Sequence, residues 1–110
     1  MIYNRSAYEE AAVAYITEKV SRCELLAQLA EEATELAHAA LKLRRVLDGS
    51  NPTPKSSGEA LNDLVEEVAD VSLLIDLVGM DSFERDIQNI MRHKTMRWRN
   101  RLEVMKGEEQ

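Results

Sequence analysis

Three Ser-x-x-Glu signatures divide this chain: Ser6/Glu9, Ser21/Glu24 and Ser56/Glu59. In that pattern the serine side chain accepts from a backbone N–H three residues on, and the glutamate reaches back to the serine's own N–H. Each signature therefore marks the first turn of a helix. Little between them interrupts a helix, because the 110 residues hold only four glycines and two prolines. Both prolines fall in DGSNPTPKSS, the segment Asp48 to Ser57, which is dense in turn formers. A fourth start falls at Asp81 or Ser82, directly after Gly79, a residue suited to stopping the helix before it. These signals predict an all-α chain with helices over about 7–20, 22–48, 58–78 and 82–105. The proline-bearing loop lets the second and third helices fold back as an antiparallel hairpin. The tail, KGEEQ, is expected to fray.

Length and composition narrow the class. One domain over residues 1–110 is expected, and 45% hydrophobic residues is too apolar for disorder. So short a chain has limited core volume, so oligomerisation through apolar helix faces is expected. A net charge of −6, from 20 acidic and 14 basic residues, argues against general binding of nucleic-acid polymers. Cys23 is the sole cysteine and has no internal partner, which fits a reduced thiol in a cytoplasmic protein. The opening MIYNRSAYEE lacks the apolar core of a secretory leader. The longest apolar stretch, Val68 to Met80, contains Asp70 and Asp76 and is too short to span a bilayer.

The candidate chemistry lies in two acidic pairs, Glu32/Glu35 and Glu67/Asp70. Residues three apart are neighbours on a helix surface. On the second helix an ideal 3.6-residue repeat runs the apolar stripe through Leu25, Leu29, Ala33, Leu36, Ala40, Leu43 and Leu47. Glu32 projects with that stripe, Glu35 lies at its edge and Glu31 points away to solvent. On the third helix the arc takes in Leu61, Leu64, Val68, Val71 and Ile75. Glu67 projects among Val71, Leu74 and Val78, and Asp70 between Leu74 and Leu77. Buried carboxylates are normally paired, protonated or metal-bound. Four acids converging from two packed helices suit a hard divalent cation such as Mg²⁺, which prefers oxygen ligands. The plainer alternative is that each acid is bonded to its own Lys or Arg.

Beyond Asp70 the third helix is apolar nearly all round, with Asp76 the main exception. Such a helix is expected to be covered on every side, here by a second subunit. The last helix carries MRHKTMRWRNR, residues 91–101. Arg92 and Arg99 read as solvated. Lys94, Arg97 and Arg101 project with Phe83, Ile87, Ile90 and Trp98, so they either neutralise the acids or hold ligand phosphates. Tyr3, Tyr8, Tyr15 and Trp98 read as packing or interface residues, with base stacking the alternative.

LLAQLAEEATELAHAALKL followed by LVEEVADVSLLIDLV resembles the MazG-like all-α nucleoside triphosphate pyrophosphohydrolases, marked by an E-x-x-E pair on one helix and an E-x-x-D pair on the next. Here those pairs are Glu32/Glu35 and Glu67/Asp70. The resemblance spans the central hairpin, about residues 22–78, and more loosely the last helix. It implies a four-helix bundle-like MazG fold, assembling as a homodimer or homotetramer. The four acids would be metal ligands and catalytic residues with Mg²⁺, or Mn²⁺, as cofactor. The substrate would be a nucleoside triphosphate, cut between its α and β phosphates to a monophosphate and pyrophosphate. Lys94 and Arg97 are the positions matching the family's phosphate contacts. The segment between the two pairs is long for the family.

Three other readings compete. A non-catalytic helical bundle could bind a nucleotide or partner through the same acids. A phosphoribosyl-ATP pyrophosphohydrolase would use nearly the same chemistry. A di-iron bundle needs two Glu-x-x-His motifs; Glu35/His38 supplies one, but Ile90 stands three residues before His93.

Overall fold

In a computed structural model of the chain, residues 4–50 and 55–109 are described, and no strand occurs among them. Helix α1 covers Ala7–Lys19, α2 Arg22–Asp48, α3 Ser57–Leu77 and α4 Glu84–Glu109, with a 3-10 turn at Met80–Phe83. Both prolines of the expected loop, and Tyr3, lie outside the described residues.

The local signals act as their chemistry dictates. The hydroxyls of Ser6, Ser21 and Ser56 accept from the backbone N–H of Glu9, Glu24 and Glu59 at 3.1, 3.1 and 3.2 Å. At Ser6 the reciprocal half also forms, the Glu9 carboxylate accepting from Ser6 N–H at 3.3 Å. At Ser56 the Glu59 carboxylate accepts from the serine hydroxyl instead. Gly49, at φ 68°, closes α2 in the left-handed region, where a side chain would be strained, and its N–H reaches the Arg45 carbonyl at 2.9 Å. Gly79, at φ 88°, turns the chain out of α3. Two boundaries differ from expectation. The 3-10 turn takes the place of the first predicted turn of α4, and α4 continues to Glu109 rather than fraying near residue 105. Lys106 in that last turn offsets the partial negative charge of the helix end.

The chain packs as two compact units, one ending at Gly79 and the other starting at Met80. The first is built on the α2–α3 hairpin. The two ends of its antiparallel pairing differ. The Arg22 guanidinium donates to the Val78 carbonyl at 3.2 Å, and Leu43 and Leu47 line a small apolar recess with Ser57, Gly58 and Leu61. Between these ends a row of covered positions on α2 runs through Leu25, Leu29, Glu32, Leu36, Ala39, Leu43 and Val46, with Lys42 and Arg45 half-buried beside it. The facing row on α3 runs through Ala60, Leu64, Glu67, Val71, Leu74 and Val78, while Leu77 is buried and Asp63, Asp70, Ser72 and Asp76 are half-buried outside it. Both rows advance by alternating steps of four and three, the 3.5-residue repeat that keeps one seam facing a partner along a whole helix.

That repeat corrects the stripe expected from an ideal helix. Ala33, Ala40 and Leu47 are exposed, and Glu32, Ala39 and Val46 stand in the seam instead. Leu61, Val68 and Ile75 are likewise exposed on α3. At 100° per residue Glu32 falls about 20° from Leu25 and Ala33 about 80° from it, so the contact line follows the seven-residue step through the acid rather than the eight-residue step through the alanine.

Few residues are fully buried: Leu25, Ala39, Ala60, Leu74, Leu77 and Val78. Helix α1 adds none. It is held by a charge contact that periodicity could not reveal. Arg5, with 3% of its side chain exposed, lies 2.9 Å from Asp76 and 3.6 Å from Glu10. Asp76, the one acid interrupting the apolar end of α3, is thereby neutralised.

In the second unit, α4 is exposed from Gln88 to Gly107. Its seven cations make no ion pair among the described residues. No helix among the described residues is long and apolar enough to cross a membrane.

Replacing Asp76 by alanine removes the closest counter-charge of the buried Arg5 guanidinium and is expected to destabilise the fold by about 3 kcal/mol in urea denaturation. The double variant Arg5→Ala/Asp76→Ala is expected to lose less than the sum of the two single changes.

Candidate metal centre

The seam places two carboxylates where a packed hairpin wants hydrocarbon. Glu32 on α2 and Glu67 on α3 both occupy seam positions and face one another across it. Asp70 follows Glu67 by three residues and so turns back to the same spot. One carboxylate oxygen from each of Glu32, Glu67 and Asp70 lies within 4.8 Å of the other two. Ligands at about 2.1 Å from a shared Mg²⁺ stand up to about 4 Å apart, so small side-chain rotations close the set. Glu35, three residues along α2, is exposed and falls outside that set. Its charge still acts on Glu67.

The electrostatics centre on Glu67. Its carboxyl is held above the usual range, first by burial, then by a hydrogen bond with Glu32, then by the charges of Glu32, Asp70 and Glu35. Its Oε2 is buried and has no hydrogen-bond partner. An oxygen buried in that way is destabilising unless a proton or a cation reaches it. Among the described residues none of the four acids pairs with a Lys or Arg. The nearby cations serve other acids. Lys55 is bonded to Asp63, Arg5 to Asp76, and Arg44 lies 3.6 Å from Asp48. The plainer alternative, an individual cation for each acid, is therefore not how this site is built.

The donor set fits a hard divalent cation: oxygen only, acidic, partly desolvated and carrying one orphaned oxygen. Neither His38 nor Cys23 joins it, and both are exposed. Of the residues expected from sequence, the structure thus brings Glu32, Glu67 and Asp70 together and leaves Glu35 at the rim. Lys94 and Arg97 belong to the second unit, where both are exposed on α4. Arg97 lines an open groove of about 640 Å³ along that helix with His93, Met96 and Arg101. Tyr8, Tyr15 and Trp98 are exposed, so none is core packing in the described chain, and the Lys19 ammonium sits 5.6 Å from the Tyr15 ring centre. The orphaned Glu67 oxygen was beyond sequence reasoning, although its signal was present: an acid at the fourth–third step of a heptad row.

Comparison with known proteins finds no matching family model, no matching curated protein and no matching solved structure.

Two outcomes follow from the raised Glu67 carboxyl. The folded state keeps that proton to higher pH than the unfolded state does. Its contribution is therefore full below the ordinary carboxylate range and is lost as pH rises through the raised value. In metal-free protein, Glu67→Gln is expected to raise the thermal midpoint at neutral pH, with the gain vanishing near about pH 4. Added Mg²⁺ or Mn²⁺ is expected to raise the wild-type midpoint, by the equivalent of about 2.7 kcal/mol at one hundred times the dissociation constant. The same titration is expected to leave Glu67→Gln nearly unmoved.

Proposed function

We propose that this chain is a metal-dependent nucleoside triphosphate pyrophosphohydrolase with a MazG-like helical fold. One observation carries the reading. Glu32 and Glu67 face each other in an otherwise apolar seam, with Asp70 within 4.8 Å and no protein cation among the described residues to balance them. Two like charges so placed call for a counter-ion, and the hairpin that carries them is the part of the chain whose sequence resembles that family.

In this reading Glu32, Glu67 and Asp70 hold Mg²⁺ or Mn²⁺, and Glu35 completes the set from the rim. When bound, the ion supplies charge neutralisation at phosphate oxygens and a more acidic water. The apolar rows of α2 and α3 fix the acids' spacing, so little rearrangement is needed when substrate arrives. An acid of this cluster accepts the proton of the attacking water. Lys94 and Arg97, exposed on α4 and without ion pairs among the described residues, give this acidic chain the positive charge that a polyphosphate requires. Self-association as a homodimer or homotetramer belongs to the same reading.

The test is product release from a panel of canonical and modified nucleoside triphosphates. Pyrophosphate and the monophosphate are expected with Mg²⁺ and not with chelator. Glu67→Gln and Asp70→Asn are expected to stay folded and lose about 100-fold or more in turnover. Lys94→Ala and Arg97→Ala are expected to lower kcat/KM by about 10²-fold. Hydrolysis that survives the chelator would remove the metal from the account. Calorimetric nucleotide binding without pyrophosphate release would make the chain a binding module instead.

A further inference from the structure

Beside the α2–α3 seam, on the side where the acids open, the charge changes sign along the hairpin. A residue three positions after a seam residue is turned about 60° back around its helix. In an antiparallel pair of right-handed helices, that turn brings both rows to the same side. On α2 the row is Gln28, Glu35 and Lys42; on α3, read from its C-terminal end, it is Leu77, Asp70 and Asp63. Because the helices run oppositely, the two rows form three levels one heptad apart: Gln28 with Leu77, Glu35 with Asp70, and Lys42 with Asp63. The charges couple as that register requires. Glu35 and Asp70 both act on Glu67, and Lys42 acts on Asp63. One level is neutral, the next acidic, and the third carries cations.

The third level has positive charge to spare. Lys55 is bonded to Asp63 and neutralises it. Lys42 is half-buried and forms no ion pair among the described residues. The other cations of α2 are engaged elsewhere: Arg22 with the Val78 carbonyl, Arg44 with Asp48, and Arg45 acting on the same Asp48. A partly desolvated ammonium is costly until an anion reaches it. Side chains on a helix lean towards its N-terminus, so Lys42 leans from its own level back towards Glu35. The seam beneath this level is Ala39 and Ala60, its two smallest residues, which leaves room above them.

We infer that Lys42 is an anion subsite, which takes the terminal phosphates of a nucleoside triphosphate whose preceding phosphate oxygens lie at the Glu32, Glu67 and Asp70 cluster. The ligand's identity rests on the hydrolase reading, and the subsite on the hairpin alone. The acidic and cationic levels stand about 10 Å apart along the helices, a span that lysine's flexible four-carbon stem and a polyphosphate chain cover together. The ligand then lies one way along the hairpin. Its pyrophosphate end is over Lys42, and its nucleoside is over the neutral level of Gln28 and Leu77. Lys42 belongs to the same compact unit as the acids, so α2 itself sets its place relative to them.

Calorimetry on the full chain tests the subsite without turnover, with pyrophosphate as the probe and Mg²⁺ present. The wild type is expected to bind it. Lys42→Ala, checked for wild-type helicity, is expected to bind about 10–100-fold more weakly, the worth of one charge-assisted hydrogen bond. Acetylation of the wild type followed by mass spectrometry gives a second readout that needs no variant. Pyrophosphate with Mg²⁺ is expected to shield Lys42 several-fold and to leave Lys19, on α1, unchanged. A wild type that binds no pyrophosphate, a Lys42→Ala variant that binds it as tightly as the wild type, or a Lys42 left unshielded overturns the inference. Triphosphate hydrolysis separates this result from the hydrolase reading. A chain that hydrolyses triphosphates yet binds pyrophosphate equally with and without Lys42 keeps the reading and loses the subsite. One that binds pyrophosphate through Lys42 yet hydrolyses no triphosphate keeps the subsite and loses the reading.

Discussion

The approach of Glu32 to Glu67 across the hairpin seam is the constraint on which the rest of the first unit depends. Two carboxylates brought together in a half-buried seam make it costly to ionise Glu67 without a counter-ion. Among the described residues no Lys or Arg forms an ion pair with either one, and Lys55, Arg5 and Arg44 pair with Asp63, Asp76 and Asp48. What offsets that cost is a proton on Glu67, or a cation from solution. The first explains the raised Glu67 carboxyl, and the second gives the proposed chemistry its ion. The apolar rows above and below are what make the choice necessary, since in water the same pair would simply be hydrated.

The hairpin offsets this strain with buried apolar side chains on either side of it. Leu25, Leu74, Leu77 and Val78 close one end, and Ala39 and Ala60 allow close helix approach towards the other. Stabilisation from so short a list of fully buried residues is modest, because a Leu-sized side chain contributes only about 1.5–3 kcal/mol. Much apolar surface stays outside the seam, on α2, α3 and α4 alike.

Most helix limits were legible in the sequence because they are set locally. Ser6, Ser21 and Ser56 cap where their Ser-x-x-Glu context says they should, and Gly79 ends α3 through its own backbone freedom. The convergence of Glu32, Glu67 and Asp70 was also legible, since each leaned into an apolar arc on any helical projection. The phase of the seam was not. The choice of Ala39 over Ala40, or of Val46 over Leu47, is made by the partner helix and its 3.5-residue repeat. Nor was the Arg5–Asp76 pair legible, because it joins residues 71 apart. Neither residue carries a local pattern that names the other.

The hairpin is fastened unevenly. One end is tied by the Arg22 bond to the Val78 carbonyl and by the Arg5–Asp76 pair. At the other end α2 stops at a left-handed glycine, and a linker of turn formers leads to Ser56. Register is therefore kept by the seam and the tied end, not by the linker. In general each doubling of a loop's length adds only about 0.6 kcal/mol of closure cost. Residues could be gained or lost there over evolutionary time while Glu32 still met Glu67. Descendants of such a hairpin could keep one ion pocket while the number of residues between its acidic pairs wandered, hiding common ancestry from any comparison that counts spacing.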